Sequence, residues 1–131
     1  MSEPHSPIGL VLDASAVLSY VRGKVHVGEV LIEVADNGAV AVLPVAALVT
    51  AWQEAVDRDR LQLLVDHPTT KVVSDAAHEW RTLSVLAEML GATEPASAAI
   101  LANDADCPVL TARPDLYAGL GNGNLTIEIP G

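Results

Sequence analysis

The stretch Ile8-Gly9-Leu10-Val11-Leu12-Asp13-Ala14-Ser15 decides the reading of this chain. A short apolar run stops at a carboxylate, and small residues follow. The run reads as a buried strand and the residues after it as the start of a helix. Moving outward, Ala14 to Val21 forms that helix, with Arg22-Gly23 as its stop signal. Val25 to Asp36 is amphipathic: Val27, Val30, Leu31 and Val34 recur at helical spacing, while Glu29, Glu33 and Asp36 face water. Asn37-Gly38 closes it with residues that tolerate a left-handed backbone.

Val40 to Leu43 reads as a strand or an extended lead-in, and Pro44 suits the first turn of a helix running through Trp52 towards Val56. Asp59 to Asp66 is helical, Lys71-Val72-Val73 is a second short strand, and Ser74-Asp75 caps a helix from Ala76 to Leu90 that Gly91 closes. Thr93 caps the next helix, whose body is Ala96 to Asn103. Pro108-Val109-Leu110 is a further strand. Pro114 to Gly119 makes one or two helical turns, Gly121-Asn122-Gly123 a tight turn, and Leu125 to Ile129 a final edge strand. Short apolar strands separated by helices indicate an α/β fold: a short, mostly parallel sheet of four or five strands covered on both faces. One domain spans residues 1–131, the first seven being a flexible lead-in without the basic and apolar regions of a signal peptide.

Composition narrows the function. Seventeen acidic and seven basic side chains give a formal charge of −10. Nucleic acids are held mainly by Lys and Arg on phosphate, so this balance disfavours tight autonomous binding to them. Trp52, Trp80, Tyr20 and Tyr117 are the only aromatics, too few for a base-stacking platform. The acidic surface suits a basic partner segment. The longest nearly apolar run, Ala39 to Trp52, contains Pro44 and is too short for a membrane span. Cys107 is the only cysteine, which excludes an internal disulfide and fits a reducing cytosol. Beside Pro108 it reads as a small core residue.

In open parallel sheets, functional groups collect beyond the carboxyl ends of the strands. Asp13-Ala14-Ser15 and Thr111-Ala112-Arg113 stand there. Asp13 can hold a divalent cation, which needs oxygen ligands, or it can simply be the N-cap of the helix it precedes. Four segments then resemble the PIN-domain family, and its VapC toxin branch in particular: Val11 to Leu18, Leu43 to Trp52, Ala96 to Ala102, and Cys107 to Thr111. The resemblance spans Ile8 to Ile129 and implies a three-layer α/β/α fold. Active members are endoribonucleases with three or four acids around Mg²⁺ or Mn²⁺, commonly homodimeric and bound by an antitoxin tail.

Only Asp13 carries over cleanly. The second acid falls at Thr50, the third at Pro95 with Glu94 one residue away, and the fourth, two residues beyond Thr111, at Arg113. A guanidinium there repels a cation, and the expectation is a fork-like pair between Arg113 and Asp13. A displaced metal site would instead draw on Asp13, Glu54, Glu94 and Asp115, Glu54 lying one helical turn beyond Thr50. Two readings follow. One is a non-catalytic PIN-like domain, without a cofactor, acting as a homodimer or through a basic, antitoxin-like segment, with Trp52 as an anchor if it faces out. The other is an Mg²⁺- or Mn²⁺-dependent endoribonuclease, a toxin of a toxin–antitoxin pair, with Asp13 and Glu94 as catalytic acids. A Rossmann-like binder ranks last, because no glycine-rich loop follows the first strand.

Overall fold

The computed structural model describes residues 6–120 and 125–130. Five strands form one sheet in the order β3-β2-β1-β4-β5, and every neighbouring pair is parallel. They are β1 (Ile8–Leu12), β2 (Val40–Pro44), β3 (Thr70–Val73), β4 (Val109–Thr111) and β5 (Thr126–Glu128). The helices are α1 (Ala14–Val21), α2 (Val25–Asp36), α3 (Val45–Glu54), α4 (Arg58–Val65), α5 (Trp80–Leu90) and α6 (Thr93–Ala105). The expected α/β architecture is therefore present, with the final strand at an edge.

Side-chain alternation along the strands makes three layers. Leu10 and Leu12 face one way, into a cluster with Val17 and Val21 of α1, Val27 and Leu31 of α2, and Leu61 and Leu64 of α4. Val11, between them, faces the other way onto Ala98, Ala99 and Ala102 of α6. Val42 repeats the pattern between Ala41 and Leu43 on β2. Each fully buried Leu or Val contributes roughly 1.5–3 kcal/mol. The alanines let α6 lie close against the sheet, because no large side chain props it away. α3 likewise turns Ala47 and Ala51 inward and leaves Val45, Val49 and Trp52 exposed.

Local details depart from the sequence reading at several points. Pro44 ends β2 and is itself the N-cap of α3, so it stands one position before the first turn. Ser74-Asp75 caps no helix: a single 3₁₀ turn, Ala77–Glu79, precedes α5, and both oxygens of Asp75 accept from the Ser97 hydroxyl at 3.0 and 2.9 Å. Burying Ser97 on α6 requires such a partner, and Asp75 supplies it. Thr93 is the first residue of α6, whose N-cap is the extended Ala92. The helix runs on to Ala105 and stops at Asp106, which adopts a left-handed backbone with φ 53°. Gly23 and Gly38 take positive φ after α1 and α2 as their positions demand. Of the expected lead-in, residues 1–5 lie outside the described residues, as does the turn at 121–123; Pro7 is tied to the sheet, its carbonyl accepting from Val40 N–H at 2.9 Å.

Candidate functional site

The chain winds outward from β1 through β2 to β3, then crosses back to lay β4 on the other side of β1. The strand order thus reverses between β1 and β4, and the crevice at their carboxyl ends is where open α/β sheets place ligands. Asp13 follows β1 there and Thr111 ends β4. Asp13 N–H donates to Leu110 O at 3.3 Å, which locks the two strand ends together.

Asp13 is completely buried. Its Oδ1 accepts from the Ser15 hydroxyl at 2.6 Å and from Ala16 N–H at 3.0 Å, and its Oδ2 accepts from the Tyr117 hydroxyl at 2.7 Å. It is the N-cap of α1. A buried carboxylate needs this much donation, since nothing else offsets the loss of hydration. Ser15 Oγ also accepts from Ala112 N–H at 2.9 Å and sits 3.2 Å from Thr111 Oγ1, which in turn accepts from Arg113 N–H at 2.8 Å. The polar groups at the crevice floor therefore form one connected network across β1 and β4.

Glu94 enters from the first turn of α6. Its Oε2 accepts from Ala14 N–H at 3.1 Å. The first N–H groups of a helix have no partner within it. Asp13 satisfies the third of them in α1 and Glu94 satisfies the first, so both acids cap the same helix. Burial, and then the negative charge of Asp13, push the Glu94 carboxyl up to about 7; the bond from Ala14 partly opposes them. Burial and the same two carboxylates also hold the Tyr117 phenol far above its ordinary value. It remains a neutral donor.

Above this floor opens a cleft of about 310 Å³. Thr50, Glu54, Glu94 and Arg113 all line it, as does Ser15, so the structure brings together four of the positions singled out in the sequence. Glu54 is exposed and Thr50 half-buried, on the same face of α3. Pro95 is buried at the start of α6 and Thr111 is buried in the network. Asp115 stays outside the cleft lining.

The expected fork between Arg113 and Asp13 does not form. Arg113 instead grips Asp115, Nε to Oδ1 at 3.2 Å and Nη2 to Oδ2 at 3.1 Å, with both side chains more than half exposed. The pairing raises Arg113 and lowers Asp115 from their ordinary ranges. The reason is supply: Asp13 is sealed and already served by three donors, while Asp115 lies two residues from Arg113 and faces water. Tyr117, which occupies the second Asp13 oxygen, went unread in the sequence. The two residues are 104 positions apart, and the only hint was the scarcity of aromatics.

This donor set does not fit a Mg²⁺ or Mn²⁺ ion. Two carboxylates approach one another, and each already accepts from a main-chain N–H. Thr50 and Thr111 are neutral, and a guanidinium lines the rim. Among the described residues, no three His, Cys, Asp or Glu side chains are grouped to hold a metal. Elsewhere, Cys107 is half-buried, and burial raises its thiol above the usual value, consistent with a packing role. No described helix is long and apolar enough to cross a membrane. In comparisons with known proteins, no family model matches the sequence and no curated protein matches it.

Proposed function

We propose that this chain is a PIN-like domain that has given up metal-dependent RNA cleavage and acts by protein association, as a homodimer or as the receptor for a basic, antitoxin-like segment. The observation that carries the reading is the state of Asp13. The one acid that matches the nuclease pattern is buried, capped and bonded to Ser15, Ala16 and Tyr117, so each oxygen a metal would use is already engaged. Nuclease chemistry needs carboxylates free to fix an ion and lower the pKa of its bound water. The net charge of −10 supports a basic partner over a polyanionic one. A cytosolic setting agrees with the single free thiol of Cys107.

One observation favours the alternative, a metal-dependent endoribonuclease. Glu94 approaches the same helix start that Asp13 caps, and burial, then the Asp13 charge, raise its carboxyl to about 7, a perturbation often found at functional sites. The two readings separate in one assay. Purified protein is incubated with structured RNA and Mn²⁺, alongside Asp13→Ala and Glu94→Gln. The association reading expects no cleavage by any of the three. Mn²⁺-dependent cleavage by wild type, lost in Asp13→Ala, would establish the enzyme instead.

A further inference from the structure

Where the end of α1 meets the turn between α3 and α4, a pocket of about 370 Å³ gathers charges of both signs that do not pair with each other. Arg22 and Arg60 both line it. Arg113 pairs with Asp115, and Arg58 and Arg81 lie over the indoles of Trp52 and Trp80, 4.0 and 5.2 Å from the ring centres. Among the described residues, Arg22 and Arg60 have no carboxylate within ion-pairing distance, and Arg60 lies only loosely over the Tyr20 ring, at 6.0 Å. Gly23, with φ +82°, brings the chain past Arg60, whose guanidinium is 3.7 Å from where a Cβ on Gly23 would sit. A guanidinium therefore lies beside the residue that follows Arg22. In a chain with seventeen acids, two such groups in one pocket without a counter-ion leave a place for a ligand carboxylate, which a guanidinium can grip through two parallel bonds.

The pocket is not a plain anion site, because Glu54 lines it too. Glu54 ends α3, is exposed, and has no hydrogen bond or ion pair among the described residues. The other acid of the lining, Asp57, is already engaged: it caps α4, its Oδ1 accepting from Arg60 N–H at 3.2 Å. A ligand of either single sign would meet a like charge here, an anion at Glu54 and a cation at the two arginines. A zwitterion meets an opposite charge at each end. It also carries no net charge, so the overall −10 of the chain does not oppose its approach. The rest of the lining is apolar, with Leu18 and Val21 from α1 and Ala55 and the fully exposed Val56 from the α3–α4 turn. An apolar side chain laid there would take Val56 out of water. The volume lies at the small end of the range for small-molecule sites.

We propose that this pocket binds a free α-amino acid with an apolar side chain, its carboxylate between Arg22 and Arg60, its ammonium on Glu54 and its side chain against Val21 and Val56. The site is separate from the network around Asp13 and shares only Leu18, Arg22 and Glu54 with the cleft above that network. It goes beyond the association reading and does not depend on it.

The test is calorimetric titration of L-leucine, L-valine, L-methionine and L-phenylalanine into the full chain, with EDTA present so that no metal complex of the amino acid contributes. At least one of the four is expected to bind saturably at one site. The amine and the carboxylic acid that correspond to the tightest of them each lack one charge, and should bind at least about tenfold more weakly for want of a charge-assisted hydrogen bond. Arg22→Gln, Arg60→Gln and Glu54→Gln should each weaken the amino acid by about tenfold or more, while Arg81→Gln, outside the pocket, should leave its affinity unchanged. All four substituted residues are exposed, and circular dichroism checks that each variant folds. No saturable binding of any of the four amino acids up to about 20 mM would overturn the proposal. Binding indifferent to all three pocket substitutions would overturn the assignment of the site. A carboxylic acid that binds as tightly as its amino acid would overturn the zwitterion in favour of a simple anion.

Discussion

The floor of the cleft and the outer face of α3 are opposite kinds of surface, and the contrast is what the proposed association reading rests on. At the floor, Asp13, Thr111 and Tyr117 are polar and buried, Ser15 is half-buried, and each has a hydrogen-bond partner inside the chain. On α3, Val45, Val49 and Trp52 are apolar and open to water. The first region has its physical requirements met without any ligand. The second does not. A nuclease should show the reverse: carboxylates held apart and waiting for a cation, with ordinary surface elsewhere.

Substitutions can break this comparison, beginning where the internal network is densest. Asp13→Ala removes the cap of α1 and strands the Tyr117 hydroxyl in the core. We expect a loss of about 3 kcal/mol, read as a lower midpoint in urea. If Asp13 were held in strain for a metal, the same change would leave stability unaltered or improve it. Tyr117→Phe tests the network from the other end. It leaves Asp13 Oδ2 buried without a donor and should cost about 2 kcal/mol by the same measurement. A neutral result would mean that water or another group serves that oxygen.

Glu94 gives a dependence on pH with a definite sign. Its folded value of about 7 lies above the ordinary 4.5, so the folded state holds the proton more tightly than the unfolded one. The contribution of Glu94 to stability is then fullest below about 4.5 and is lost as pH rises through 7. Glu94→Gln keeps an acceptor for Ala14 N–H and removes the titration. Thermal melts should show wild type losing roughly 2 kcal/mol across that window and the variant losing much less. The smallest effect belongs to the outer face. Trp52→Glu should leave the melting temperature of the isolated fold nearly unchanged, since the residue is half exposed and packs mainly on Arg58. A large drop there would make Trp52 part of the core and erase the contrast.

Much of the scaffold was legible because its signals are local. Leu10-Val11-Leu12 followed by Asp13 identifies a buried strand running into a capped helix, and both are present. Thr50 and Glu54 share a helical face by spacing alone, and both line the cleft. What escaped the sequence is long-range or depends on which surface is covered. Ser74-Asp75 has the chemistry of a cap, yet Asp75 is drawn to Ser97 across the fold. Arg113 and Asp13 are complementary in charge, but burial seals one and a neighbour two residues away takes the other. Tyr117 has no local pattern that would aim it at Asp13. The stripe Val45, Val49, Trp52 has the period of a core face; the alanines at 47 and 51 are the face that is buried. Periodicity shows that a helix has an apolar side, and packing decides what covers it.

The claim that Asp13 is a structural cap is tested most directly by calorimetric titration of Mn²⁺ into the wild-type protein at about pH 7.5, where Glu94 is largely ionised and the crevice is most attractive to a cation. No saturable binding is predicted, with wild type and Asp13→Asn giving the same trace. Stoichiometric uptake of Mn²⁺ by wild type, abolished in Asp13→Asn, would contradict it.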